Sequence, residues 1–75
     1  MKRYANTNGN SGVSSYEIGS DYIWVEFTTG SIYEYTYASA GREHIENMKP
    51  LAQSGSGLNS YTMKYVRKSY SRIIK

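Results

Sequence analysis

A chain of 75 residues is long enough for one small domain. Its formal net charge is +3, and it has no cysteine, which excludes disulfide bonds and cysteine-ligated zinc. The basic first residues are followed by a polar stretch rather than the apolar run of a signal peptide. No segment has the roughly 20 apolar residues that a membrane helix needs. We therefore expect a soluble, cytoplasmic protein without a membrane span.

The polar start of the chain is predicted to lie outside the folded domain. Residues 5–12 are small or polar and include no candidate for the core. We expect residues 1–12 to form a flexible tail and residues 13–75 to form a single domain. The first strand is predicted at Val13–Ile18, and turn-forming residues follow it at positions 19–21.

Residues 22–37 predict a β-hairpin, because apolar and polar side chains alternate along both of its arms. A two-residue loop would place Val25 opposite Glu34. A three-residue loop at residues 28–30, with Gly30 in a left-handed conformation, instead pairs Val25 with Tyr33. We predict the three-residue loop because aromatic and β-branched residues form favourable cross-strand pairs. One face of the hairpin then carries Ile23, Val25, Phe27, Tyr33, Tyr35 and Tyr37.

The direction of these tyrosines decides which face of the hairpin can contact a partner. Tyr33 and Tyr35 share a face with apolar residues, so we expect them to pack between the sheet and the helices. The opposite face carries Tyr22, Trp24 and Ile32, together with two carboxylates that would repel phosphates. Tyr22 and Trp24 are candidate stacking residues. A protein–protein interface or homodimer through Tyr22, Trp24 and Ile32 is the alternative function.

Two helices are predicted in the second half of the chain. The first covers residues 40–49 with Ser39 as its N-cap, and Pro50 ends or kinks it because proline has no N–H to donate. Serines and glycines at positions 54–57 interrupt the chain, and the second helix begins near Asn59 or Ser60. The residues that recur along this helix at helical spacing and form its amphipathic stripe are Leu58, Tyr61, Thr62, Tyr65, Val66, Ser69, Tyr70 and Ile73. The basic residues on its opposite side are Lys64, Arg67, Lys68, Arg72 and Lys75.

The basic side of the second helix is the candidate binding site. All six acidic residues lie between positions 17 and 46, whereas five basic residues and no acidic residue follow position 60. Cations on one side of a helix suit contacts with phosphates, which do not depend on base sequence and weaken as salt is added. A solvated helix face and an anionic membrane surface are the alternatives. The candidate phosphate ligands are Lys64, Arg67, Lys68 and Arg72, and Arg3 or Lys2 is a further candidate.

Catalytic chemistry has little basis in this sequence. His44 is the only histidine, there is no cysteine nucleophile, and no serine lies in a recognisable catalytic motif. No spacing of histidine and acidic residues is typical of a metal site. We therefore expect a protein that is not an enzyme and uses neither a metal nor a cofactor.

Several short motifs follow one another in a recognisable order: Ser14-Ser15, Ile18-Gly19, Val25-x-Phe27-x-x-Gly30, Tyr33-x-Tyr35, the serines and glycines at 54–57, and Leu58-Asn59. The ordered set resembles the KTSC domain family, which is named for a C-terminal domain of lysyl-tRNA synthetases and also occurs as free-standing small bacterial proteins. The resemblance implies a three-stranded antiparallel sheet with helices on one side. Its synthetase context suggests RNA as the partner.

Residues and resemblance together predict an α+β fold, in which a three-stranded antiparallel meander is followed by two C-terminal helices packed on one face. The predicted function is that of a small, non-catalytic binding module. RNA, as tRNA or as a single strand, is the first candidate partner, and a protein or a second copy of the chain is the alternative.

Overall fold

An antiparallel sheet with helices on it makes this an α+β fold, as predicted. The structure is a computed structural model that describes residues 1–7 and 12–75. Within those residues the sheet has five strands in chain order rather than the three predicted. The strands are β1 (Lys2–Arg3), β2 (Val13–Ile18), β3 (Tyr22–Phe27), β4 (Ile32–Thr36) and β5 (Arg72–Ile73).

The hairpin of β3 and β4 has the register that its sequence predicts. Val25 lies opposite Tyr33, so three residues remain for the loop. Gly30 ends that loop with a φ of +97°, a conformation that residues with a side chain rarely adopt. The three-residue loop is therefore confirmed. It directs Tyr35 into the interior, where only 1% of that residue is exposed.

The helices cover the face of the sheet that carries Tyr35, as expected. In the part of the chain that the structure describes, their number is three rather than the two predicted: α1 (Tyr37–Ala40), α2 (Arg42–Ser54) and α3 (Leu58–Tyr61). The last of them, α3, continues into a π-helical segment, Thr62–Val66. Among the described residues, no helix has both the length and the apolar character needed to cross a membrane. The apolar core between sheet and helices includes Ile23, Val25, Tyr35, Ile45, Met48, Ala52, Leu58 and Val66.

The first predicted helix begins differently in the structure. Thr36, and not Ser39, is the N-cap of α1: its hydroxyl accepts from the Ser39 amide, while the Ser39 hydroxyl accepts from the Thr36 amide, both at 3.0 Å. Gly41, at a φ of +98°, then separates α1 from α2. Because α1 starts at Tyr37, that tyrosine leaves the row that it was predicted to share with the hairpin tyrosines.

Pro50 does not end the first long helix, which continues to Ser54. A proline inside a helix removes the hydrogen bond to the carbonyl four residues earlier. The helix nevertheless continues past the proline, and Ala52 is buried on its apolar side together with Ile45 and Met48. Gly55 then ends the helix in a left-handed conformation, and its amide donates to the carbonyls of Leu51 and Ala52.

The second predicted helix is shorter than its apolar spacing indicated. Helical structure ends at Val66, and the chain turns back to the sheet, where Arg72–Ile73 pair with β4. The amides of Ser71 and Ile74 donate to carbonyls of β4 at 2.6 and 2.7 Å. Without this pairing, β4 would be an edge strand with unpaired backbone groups. The prediction of one helix reaching residue 73 was therefore wrong.

The fold also includes residues that were assigned to a flexible tail. Lys2–Arg3 pair with β2, and Tyr4 is only 3% exposed. The Tyr4 hydroxyl accepts a hydrogen bond from the Leu58 amide at the start of α3. The folded part of the chain therefore begins near Lys2 rather than at Val13, and residues 8–11 of the predicted tail lie outside the described residues.

Candidate functional site

A cleft opens between the tip of the β3–β4 hairpin and the chain that follows α3. Its volume is about 420 Å³, within the range of about 300–1,000 Å³ that is typical of ligand pockets. Thr28 holds the hairpin tip in place by donating its amide to the Gly12 carbonyl at 2.7 Å. We call this feature the aromatic cleft; it is lined chiefly by Phe27, Tyr33, Met63, Arg67, Lys68 and Tyr70.

Aromatic rings form a continuous series along the cleft. The ring of Tyr33 meets Phe27 edge-to-face at 5.5 Å and Tyr70 edge-to-face at 4.9 Å between centroids. This is the preferred arrangement of aromatic pairs. Tyr70 is 39% exposed, so its ring also faces solvent. Below them, burial raises the pKa of Tyr35 to about 12, with a further contribution from the neighbouring Tyr33 and Tyr70 phenols.

Two cations border these rings. Arg67 and Lys68 follow the π-helical segment, line the cleft and are exposed. None of the described residues that line the cleft is acidic. Within the described part of the chain, neither cation forms an ion pair. The cleft therefore presents apolar rings and positive charge together, a combination that suits a ligand with a flat ring and an anionic group.

The four predicted phosphate ligands do not share one helix face. Arg67 and Lys68 are together in the cleft, whereas Lys64 lies in the π-helical segment with its ammonium 5.3 Å from the centroid of the Tyr65 ring. Arg72 is on β5 and not on a helix, and its Nε donates to Glu34 at 3.0 Å. These four residues were predicted to lie on one side of a helix because that helix was expected to continue to residue 73.

The open face of the sheet carries the two predicted stacking residues. The rings of Tyr22 and Trp24 are tilted to each other at 5.8 Å, and both residues are half-buried. The indole N–H of Trp24 donates to Glu34 at 2.9 Å. This bond, together with Arg72, holds the pKa of Glu34 below its usual value although partial burial opposes the shift. The Trp24 indole is thus already bound to a carboxylate of its own sheet.

Met63 and Tyr70 line the cleft, but no binding role was predicted for either residue from the sequence. Tyr70 was assigned to the apolar side of a long helix, so its proximity to the hairpin tyrosines could not be foreseen. The sequence does contain one indication of this site, because Tyr70 lies near the adjacent cations Arg67 and Lys68 along the chain. For metals, the described residues hold no group of three histidine, cysteine or acidic side chains that could bind an ion.

Comparisons with known proteins found no family model, no curated protein and no solved structure that matches this chain. The resemblance to the KTSC family therefore stays a prediction from the residues that carry it. The properties of the aromatic cleft are the basis for the functional argument.

Proposed function

We propose that this protein is a small, non-catalytic module that binds nucleic acid, RNA in the first place, at the aromatic cleft. The observation that carries the proposal is that Arg67 and Lys68 line the same cleft as the exposed ring of Tyr70 and the half-buried rings of Phe27 and Tyr33, with no acidic residue among the described lining. A nucleotide has a flat base and an anionic phosphate, so it matches both components of the cleft. Cations in this position would contact phosphates, and the Tyr70 ring would contact a base.

The number of cations near the cleft sets the expected salt dependence. Arg67 and Lys68 line the cleft, and Lys64 lies on the same segment of the chain. Three phosphate contacts predict that log K falls against log salt with a slope of about −2 for a single strand. Arg72 is left out of this count because it is paired with Glu34. The proposed affinity is therefore modest and strongly dependent on ionic strength.

The first prediction concerns the two cations of the cleft. We expect the double variant Arg67→Glu with Lys68→Glu to bind labelled tRNA and single-stranded RNA about tenfold more weakly or worse, a loss of about 1.4 kcal/mol or more. Both side chains are exposed, so the fold should persist, which circular dichroism checks. Fluorescence anisotropy at low and moderate salt gives the affinities and the slope.

The matched control reverses another adjacent pair of exposed cations, Lys2 and Arg3 on β1. These two residues lie at the opposite edge of the sheet from β5, and their reversal changes the net charge by the same amount. We expect the control to weaken binding less than twofold. Equal losses in the two double variants would mean that only net charge matters, and absence of binding at low salt would reject the proposal.

The alternative function, a protein interface or homodimer through Tyr22, Trp24 and Ile32, has less support. The face that these residues share also carries carboxylates, one of which already accepts the Trp24 N–H. Apolar, uncharged centres are typical of protein interfaces. A concentration-dependent mass in analytical ultracentrifugation that Trp24→Ala abolishes would favour this alternative over the cleft.

A further inference from the structure

A second group of rings lies on the helical side of the molecule, with Tyr65 exposed and with His44 and Tyr61 half-buried. His44 of α2 stacks on Tyr65 with 5.6 Å between ring centroids and 27° between their planes. Tyr61 approaches Tyr65 at 4.6 Å and His44 at 5.7 Å. Tyr65 itself is 50% exposed. We call these three residues the Tyr65 platform.

Hydrogen bonds fix the inner part of this platform. The Tyr61 hydroxyl lies 2.7 Å from Nδ1 of His44, and it accepts a hydrogen bond from the side-chain Nδ2 of Asn47 at 3.1 Å. His44 and Asn47 both belong to α2, which packs on the sheet. The rings under Tyr65 are therefore held by a rigid element, while half of the Tyr65 surface is open to solvent. A fixed, exposed ring loses little conformational freedom when a flat ligand stacks on it.

The platform and the aromatic cleft are linked by one short piece of chain. Met63 and Arg67 line the cleft, Tyr65 belongs to the platform, and the Lys64 ammonium lies 5.3 Å from the Tyr65 centroid. This piece includes the π-helical segment Thr62–Val66. Such π turns are rare and frequently occur at functional sites. This short piece of chain therefore carries Lys64 beside the platform and continues into Arg67 and Lys68 of the cleft.

We infer that the Tyr65 platform is a second base-stacking site, which makes the protein selective for single-stranded over duplex nucleic acid. This inference rests on the proposed function of the cleft. One unpaired base occupies the cleft beside Tyr70, and another displaces the Lys64 ammonium from the Tyr65 ring and stacks there. The displaced Lys64, together with Lys68, contacts the phosphates between the two bases. Every base has a flat face that an aromatic ring can contact, so the binding tolerates different base sequences.

Duplex nucleic acid cannot use these two ring sites. Its bases are paired and stacked on one another, so their faces are not available to a protein ring unless the duplex opens. A duplex would contact only the cations. The difference between single-stranded and duplex ligands with equal numbers of phosphates therefore measures the contribution of the rings.

The test compares Tyr65→Ala, Tyr65→Phe and Tyr22→Ala in anisotropy titrations with a short single-stranded RNA and with a blunt-ended, two-stranded RNA duplex of the same phosphate number. We expect the unaltered protein to bind the single strand about fivefold or more tightly than the duplex. Tyr65→Ala should remove about fivefold from the single-strand affinity, because stacking on one ring is lost. It should leave the duplex affinity unchanged.

The other two variants serve as controls. Tyr65→Phe keeps the ring and should retain the single-strand affinity, which separates stacking from a role of the hydroxyl. Tyr22→Ala removes a half-buried ring from the opposite face of the sheet and should have no effect on either ligand. Circular dichroism and thermal unfolding of each variant check that the fold is intact.

Two failures can be told apart in this experiment. If Tyr65→Ala changes neither affinity, while the single strand still binds more tightly than the duplex and reversal of Arg67 and Lys68 weakens both, the platform is not a base site and the proposed function stands. If no RNA binds at low salt, the proposed function fails and the inference fails with it. An equal loss for both ligands in Tyr65→Ala would also overturn the inference, because a stacking site acts only on unpaired bases.

Discussion

Tyrosines that look alike in the sequence have different environments in the structure. Tyr35 is 1% exposed between sheet and helices, whereas Tyr65 and Tyr70 are exposed. Alternation along a strand predicted the burial of Tyr35, because the neighbours that share its face are apolar. No comparable signal distinguished the two C-terminal tyrosines. Their exposure depends on where the chain leaves the helix, and local spacing does not determine that point.

The buried phenol of Tyr35 predicts a loss of stability in alkali. Its pKa is raised to about 12 from an ordinary value of 10.0, chiefly by burial. As the pH rises, the unfolded chain therefore loses this proton before the folded protein does. The stabilisation that Tyr35 contributes is fully present below a pH of about 10 and declines as the pH rises towards about 12. Urea unfolding of the unaltered protein and of Tyr35→Phe, at several pH values in this window, measures the effect.

The phenylalanine variant cannot ionise at this position, so its free energy of unfolding should fall less steeply with pH than that of the unaltered protein. The change of the free energy of unfolding with pH that remains in the variant reflects ionisation of the other tyrosines. Parallel curves for the two proteins would mean that Tyr35 ionises as easily in the folded protein as in the unfolded chain, contrary to its burial.

Among the helices and strands, those determined by nearby residues were predicted best. Loop length and alternation gave the β3–β4 pairing, which the structure has in the same register. Of the eight residues whose spacing predicted the second helix, Leu58, Thr62 and Val66 are indeed buried, whereas Tyr65, Tyr70 and Ile73 are exposed. The prediction that this helix continues to residue 73 was wrong because the edge of β4, distant in sequence, offers backbone partners to residues 71–74. Spacing within one segment carries no information on such a partner.

Two glycines with a left-handed backbone allow the docking of the N-terminal residues to be measured. At Gly55 a Cβ atom would lie 2.5 Å from the Cβ of Ala5 and 3.1 Å from the Asn6 nitrogen, whereas at Gly30 it would meet nothing within 4 Å. Both have a positive φ, so alanine strains the backbone at each by roughly 1–2 kcal/mol. The steric clash adds about 1–3 kcal/mol at Gly55 alone.

We therefore expect Gly55→Ala to lower the free energy of unfolding clearly more than Gly30→Ala, as measured by urea denaturation of both variants. The Gly55 carbonyl also accepts the Thr7 amide at 2.8 Å, so a shift of the backbone there would affect this bond as well. Equal losses would indicate that residues 5 and 6 move aside freely, and that the N-terminal residues are not packed against the end of α2.

The molecule as a whole brings together segments that are far apart in sequence. The aromatic cleft combines Gly12, the hairpin tip, α3 and the residues before β5. The sequence indicated positive charge after residue 60, and this charge lies at the cleft in the form of Arg67 and Lys68. The sequence could not indicate that Arg72 forms an ion pair with Glu34 in the sheet. A site composed of four separate segments depends on tertiary packing, which periodicity and propensity do not describe.

Amide NMR spectra of isotope-labelled protein, recorded during titration with a short single-stranded RNA, locate the binding surface residue by residue. We predict saturable shifts at Thr28 and Thr29 of the hairpin tip and at residues 63–70, with little change on β1 and on the open face of the sheet. Shifts centred on Tyr22 and Trp24, or no shifts at low salt, would contradict the assignment of the aromatic cleft as the nucleic-acid site.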